Sequence, residues 1–312
     1  MKMTKNKALT PERIMQLSWG YAPPLILEAA VKHRVFDLLN ESPKTAQQLA
    51  AKSGASVRGL TAICNALVGL QFLARAGDRY KLTPESAAFL VSGKNSYYGG
   101  FLKHISRQLI PQWLDLTQIV KTGKPAKRVN SQKEGVKFFA DFVESILPLS
   151  SMAAKKLGEH LKISQSKNPI GVLDIAAGSG VWGIALAEQS KHVRISAVDW
   201  PDVLSITQKI AKQHGVADRL KKIPGDLLKV DFGKNHNIAT LGHILHSEGA
   251  ERSRKLLKKV FNALAPGGTI SIMEFLVNDQ RTAPPVSLLF AVNMLVNTEN
   301  GDTFSFEEIS QW

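Results

Sequence analysis

From residue 170 onward the chain alternates short apolar runs with amphipathic ones, and that alternation leaves few folds open. Runs at 171–175, 194–198, 220–223, 238–241 and 269–275 have the length of buried strands. Segments 181–189, 203–214 and 251–264 repeat apolar residues at helical spacing. Parallel strands need a crossover, and a helix is the usual one, so the pattern predicts an α/β fold with a doubly wound parallel sheet.

The texture before that point is different. Segments 11–19 and 25–39 read as helices, with Pro23 and Pro24 at the start of the second. Thr45 and Ser56 suit helix N-caps on either side of a tight turn at Gly54, giving a helix-turn-helix that runs to about Leu70. Segments 73–75 and 80–82 flank Gly77-Asp78 as a short hairpin, the wing. A winged-helix domain, otherwise all helical, is therefore predicted over 1–92. A helical connecting region follows over 93–168, broken by a basic loop at 121–128. The α/β domain occupies 169–312, after the polar, turn-rich stretch 164–169.

Composition narrows the function classes. A chain of 312 residues has room for two cores. Its polar, basic start lacks the apolar stretch of a signal peptide, and no apolar run reaches 18 residues, so a cytoplasmic protein without a membrane partner is expected. The single Cys64 excludes an internal disulfide and any cysteine-rich zinc site, and its apolar surroundings predict a core thiol. The net charge of +14 is lopsided: residues 1–168 hold 25 Lys+Arg against 11 Asp+Glu, and residues 169–312 hold 15 of each. Such asymmetry fits an anionic partner or a solvated surface, and with the helix-turn-helix it makes a DNA-binding regulator one alternative. However, the second helix of that motif has Arg58 as its only basic residue and is otherwise largely apolar. A groove-reading face needs polar side chains, so nucleic acid is not the expected partner and a homodimer is.

Val172-Leu-Asp174-Ile-Ala-Ala-Gly178-Ser-Gly180 leads from a strand into a helix, where small residues admit a ligand to the backbone. Gly178, Gly180 and Gly183, with Asp199 further on, also satisfy the dinucleotide pattern. Three features favour a cationic nucleoside over a pyrophosphate. Asp174 precedes the glycines, Asp226 adds a second acid after the third strand, and Pro266-Gly-Gly268 forms a sharp turn before the fifth. His243 and His246 lie where the fourth strand enters a helix, and Glu274 ends the next strand. Loops at these carboxyl ends carry the ligands of doubly wound folds.

The order D-x-A-A-G-S-G, Val198-Asp199, Gly225-Asp226 and Leu264-Ala-Pro-Gly-Gly268 resembles the class I S-adenosylmethionine (SAM) dependent methyltransferases, with a Rossmann-like catalytic domain. The resemblance implies SAM as cofactor. Asp174, Gly178 and Gly180 would hold its methionine and ribose part, Asp199 the ribose hydroxyls, Asp226 the adenine amino group, and Leu227 the ring. With the winged-helix start, Ile244-Leu-His246 narrows the resemblance to small-molecule O-methyltransferases with an N-terminal dimerisation domain. Their usual I-L-H-D-W reads Ile244-Leu-His246-Ser-Glu here. By that resemblance His246 is the general base and Glu274, 28 residues later, orients it.

The acceptor would be a small aromatic or polyketide-like hydroxyl compound, walled by Phe142, Phe290, Asn293 and Met294, with Phe101, His104, Trp113 and Phe139 as further candidates. No metal is expected. A SAM-binding relative without catalysis is the other alternative. Proteins of this class continue past the amphipathic segment at Trp312 into two more strands. A truncated sequence, or a sheet edge covered by a partner, is therefore expected.

Overall fold

A computed structural model describes residues 9–94, 96–125 and 132–312, with side chains left out at 132–141, 144–146 and 149. It has two compact units, Met1–Ser106 and Arg107–Trp312.

In the first unit, helices Ala46–Ser53 and Val57–Gly69 form the helix-turn-helix. Thr45 closes a capping box with Gln48, Gly54 takes the left-handed turn at φ 71°, and Ser56 caps the second helix through the Gly59 amide. Strands β1 (Leu73–Ala76) and β2 (Arg79–Leu82) pair antiparallel as the wing. The helix expected over 25–39 is two, Ala22–Lys32 and Val35–Glu41. Arg34 breaks it at φ 58°, and the redirected second helix sinks Val35, Phe36, Leu38 and Leu39 into the core. Cys64 is fully buried there, and burial pushes its thiol up to about 11. Helix Glu12–Ser18 buries no residue, leaving Ile14, Leu17 and Trp19 in the open.

The second unit holds β3 (Ile170–Ile175), β4 (Val193–Asp199), β5 (Leu220–Pro224), β6 (His236–Gly242) and β7 (Leu264–Met273). All pair parallel, in the order β5-β4-β3-β6-β7. Successive strand residues serve opposite faces. Val172 and Ile195 pack with Ile184, Leu204 and Ile210, whereas Leu173 and Ile175 pack with Leu245, Leu256 and Val260. Leu147, Leu157 and Leu161 join the first of these cores, so helix Gln132–His160 is part of this unit.

Two boundaries differ from the sequence reading. Strand β7 starts at Leu264, and Pro266-Gly-Gly268 is looped out within it: β6 advances from His236 to Ile238 while β7 advances from Leu264 to Thr269. The helix expected from residue 251 begins at Leu245, with a break at Gly249 (φ 74°, ψ 168°). The chain runs outward from β3 through β4 to β5, then returns to β6. The crevice at the carboxyl ends of β3 and β6 is therefore the topological switch point, where such sheets bind ligands.

Candidate active site

The glycine loop leaves β3 through three left-handed residues, Ala176 (φ 51°), Gly178 (φ 55°) and Gly180 (φ 75°), and Gly180 caps helix Val181–Gln189. Asp174 is completely buried behind this loop. Its oxygens accept the Gly183 amide at 3.0 Å and the Thr240 hydroxyl at 2.7 Å. The carboxylate expected to face the methionine thus also braces the loop, one oxygen toward helix Val181–Gln189 and the other toward β6. Burial pushes its pKa up to about 7 against the lowering effect of those two bonds.

Asp199, at the end of β4, accepts Gly178 N–H at 2.9 Å and Trp200 N–H at 2.7 Å. It is only partly covered at the surface, yet enclosure raises its pKa to about 6. Asp226 follows β5, and the Gly225 amide bonds back to the Asp199 carbonyl at 2.9 Å, tying the two rims together. One Asp226 oxygen accepts the Leu228 amide at 2.8 Å and faces Arg252 at 3.7 Å. Leu227 is buried in the core beneath, and Lys259 donates to its carbonyl. Two carboxylates thus stand on adjacent strand ends, beside a loop without a basic side chain from 174 to 183.

On the other side of the switch point His246 Nδ1 lies 2.7 Å from Glu274 Oε2. The second Glu274 oxygen accepts the Leu245 amide at 2.7 Å. Burial alone would raise Glu274, but His246, His243 and the Leu245 amide together hold its carboxyl below the usual range. An ionised Glu274 favours the tautomer of His246 with its proton on Nδ1, which leaves the lone pair on Nε2. Phe290 stands edge-on to the imidazole at 4.9 Å and stacks on Phe275 at 4.1 Å. His243 lies beside Phe275 with its ring centre 6.2 Å from that of His246.

The other expected acceptor walls divide. Asn293 spends its side-chain oxygen on Trp113 Nε1 at 3.1 Å and Asn297 Nδ2 at 3.0 Å, so only its amide nitrogen remains to donate. Met294 is buried, at 6% exposure. Phe142 is partly buried, Phe101 and His104 lie in the first unit, and the Phe139 side chain is outside the described residues.

This is the architecture of a nucleoside-dependent group-transfer enzyme. Comparison with known proteins makes the class specific. An O-methyltransferase dimerisation domain matches residues 15–92, and an O-methyltransferase domain matches residues 113–311. The chain belongs to the O-methyltransferase family: it is a SAM-dependent enzyme that methylates oxygen. Among its relatives, 3-hydroxy-5-methyl-1-naphthoate 3-O-methyltransferase of Streptomyces sahachiroi is 28% identical over 97% of this chain and 88% of its own length. The tetracenomycin polyketide synthesis 8-O-methyl transferase of Streptomyces glaucescens is 26% identical over 97% and 89%. A solved chain from Nostoc punctiforme superposes with a TM-score of 0.89 at 29% identity, covering 98% of this chain and 92% of that one.

Sequence reasoning missed several residues of the site. Thr240 and Thr207 fix the loop from behind, the latter through the Gly178 carbonyl at 2.7 Å. Phe275 carries the aromatic contacts, and only its place next to Glu274 hinted at that. Glu248, where the family has Trp, is buried and pairs with Arg252 at 2.6 Å. Finally, ligand atoms of His243, His246 and Glu274 all fall within 4.8 Å of one another, a cluster that the expectation of no metal had passed over.

Proposed function

We propose that His246 is the general base for methyl transfer to a hydroxyl of a small aromatic or polyketide-like acceptor. The observation that carries this reading is the 2.7 Å contact of His246 Nδ1 with a buried, amide-anchored Glu274. SAM, when bound, supplies an electrophilic sulfonium methyl. Asp199 and Asp226 hold the nucleoside, and Asp174, Thr207 and Thr240 keep the glycine loop in shape for it. Nε2 of His246 takes the acceptor's hydroxyl proton as the oxygen becomes the nucleophile, and Glu274 stabilises the resulting imidazolium. Positioning by the aromatic wall of Phe275 and Phe290 supplies much of the remaining acceleration. Those rings, and the acceptors in the names of the Streptomyces relatives, support an aromatic substrate. The exposed apolar helix Glu12–Ser18, within the unit matched by the dimerisation domain, supports a homodimer.

The test is turnover of His246→Ala on a panel of phenols and naphthols, with SAM affinity measured by calorimetry. A loss of roughly 10²–10⁴-fold at unchanged affinity is expected. Near-normal turnover would remove His246 from the mechanism.

A further inference from the structure

We propose that His243, His246 and Glu274 form a binding site for a divalent transition metal of the zinc type, whose occupancy switches the base off. Three observations carry it. The ligand atoms of the three side chains already lie within 4.8 Å of one another. His243 Nδ1 is buried with no hydrogen-bond partner among the described residues, an uncommon state for a buried imidazole nitrogen. Finally, the His243 backbone is fixed at φ 60°, in the left-handed region, with its amide bonded to the Met273 carbonyl at 2.8 Å at the end of the strand that leads to Glu274. Two imidazoles and one carboxylate are a common donor set for zinc, with ligand bonds of about 2.0–2.2 Å and a fourth position open.

His246 Nδ1 and Glu274 Oε2 now share a proton across 2.7 Å, and the metal would stand in its place. Tetrahedral spacing needs the His246–Glu274 pair to open from its 2.7 Å contact and His243 to draw closer, each by on the order of 1 Å. Protons balance within the ring. Nδ1 gives its lone pair to the metal, the one proton of the neutral imidazole moves to Nε2, and the ring then has no lone pair with which to accept from a hydroxyl. Hard cations such as magnesium prefer oxygen ligands and would not compete.

The inhibition rests on the proposed role of His246, whereas the binding does not, and the two are measured separately. Full-length protein is titrated with cobalt(II) and followed by visible absorption, and with zinc by calorimetry. His243→Phe keeps the ring beside Phe275 and removes the ligand. His214→Gln serves as control, since His214 makes the other His–carboxylate pair seen among the described residues, 2.7 Å from Glu188. We expect tetrahedral cobalt bands in the native protein, at least tenfold weaker zinc binding in His243→Phe, and no change in His214→Gln. Zinc should inhibit methyl transfer in step with that binding, and magnesium should not. Unchanged zinc affinity in His243→Phe, or no cobalt bands in the native protein, would overturn the site. Bands that form without inhibition would keep the site and count against His246 as the base.

Discussion

Asp199 accepts the Gly178 amide at 2.9 Å, so the carboxylate proposed to hold the ribose is the same one that closes the glycine loop. Binding and loop shape are therefore coupled through one side chain. Asp199→Asn keeps an acceptor for Gly178 and removes the charge. Charge-assisted hydrogen bonds contribute about 1.5–3 kcal/mol, so SAM affinity should fall roughly ten- to a hundredfold, and melting temperature should fall too because the new amide nitrogen faces the Trp200 N–H. Calorimetry that found affinity within twofold of native would remove Asp199 from the ribose.

The two loop glycines should respond differently to a methyl group. A Cβ on Gly180 would stand 2.7 Å from Thr207 Cγ2 and 3.0 Å from Ile184 Cδ1, at a φ of 75°. A Cβ on Gly178 meets nothing closer than 3.8 Å, at a φ of 55°. Gly180→Ala adds overpacking to backbone strain and should cost about 2–4 kcal/mol in urea unfolding, against about 1–2 kcal/mol for Gly178→Ala. Equal losses would show that the packing behind Gly180 relaxes freely.

Asp174 gives the stability a distinctive pH dependence. Its folded pKa of about 7 lies above the ordinary 3.8, so between those values the folded state holds more proton than the unfolded one. Stability from this group is therefore complete at low pH and is lost as pH rises through the folded value. Relative to Asp174→Asn, the native protein should lose on the order of a few kcal/mol between about pH 4 and pH 7. Denaturant midpoints across that range would measure it, and parallel curves for the two proteins would contradict it.

Glu274 acts in the opposite direction. Its carboxyl is held below the ordinary 4.5, so its stabilisation is present above that value and is lost as pH falls through the folded pKa. Glu274→Gln should flatten this acid-side loss. It should also lower kcat by roughly 10²-fold while leaving the KM for SAM almost unchanged, because it orients the base without touching the donor. A change in KM alone would place it elsewhere in the mechanism.

The first helix offers a test of assembly. Leu17 is 71% exposed and Trp19 66%. Leu17→Asp with Trp19→Asp puts one charge on the exposed helix and one on its C-cap without disturbing a buried contact. Light scattering should show a shift from dimer to monomer, and an unchanged mass would move the interface off this helix.

The sheet was legible because strand and helix periods differ, and so was the glycine loop, since only small residues fit there. Glu274 was legible beside His246 because it ends the strand next to the one that leads into His246, and the family resemblance implied the pair. What the sequence could not convey was direction. Asp174 stands out in the sequence because it precedes the glycines, but nothing there shows that Thr240 meets it from a strand 66 residues away. Asn293 looked like a free polar wall, and its engagement by Trp113 spans 180 residues. The break at Arg34 was hidden because a basic residue in the left-handed region leaves no compositional mark.

The break at Gly249 bears on how such an enzyme could be redesigned. The short turn carrying His246 is detached there from the rest of its helix and is gripped from the far side. The Asp302 amide bonds the His246 carbonyl at 2.9 Å, and the Asn300 backbone fills the space a side chain at 249 would need. That gripping loop directly follows helix Pro285–Asn297, which bears Phe290. Mutant libraries that vary this helix to admit new acceptors will thus also nudge the base. Holding residues 298–303 constant is the way to change substrate scope without mistuning the chemistry.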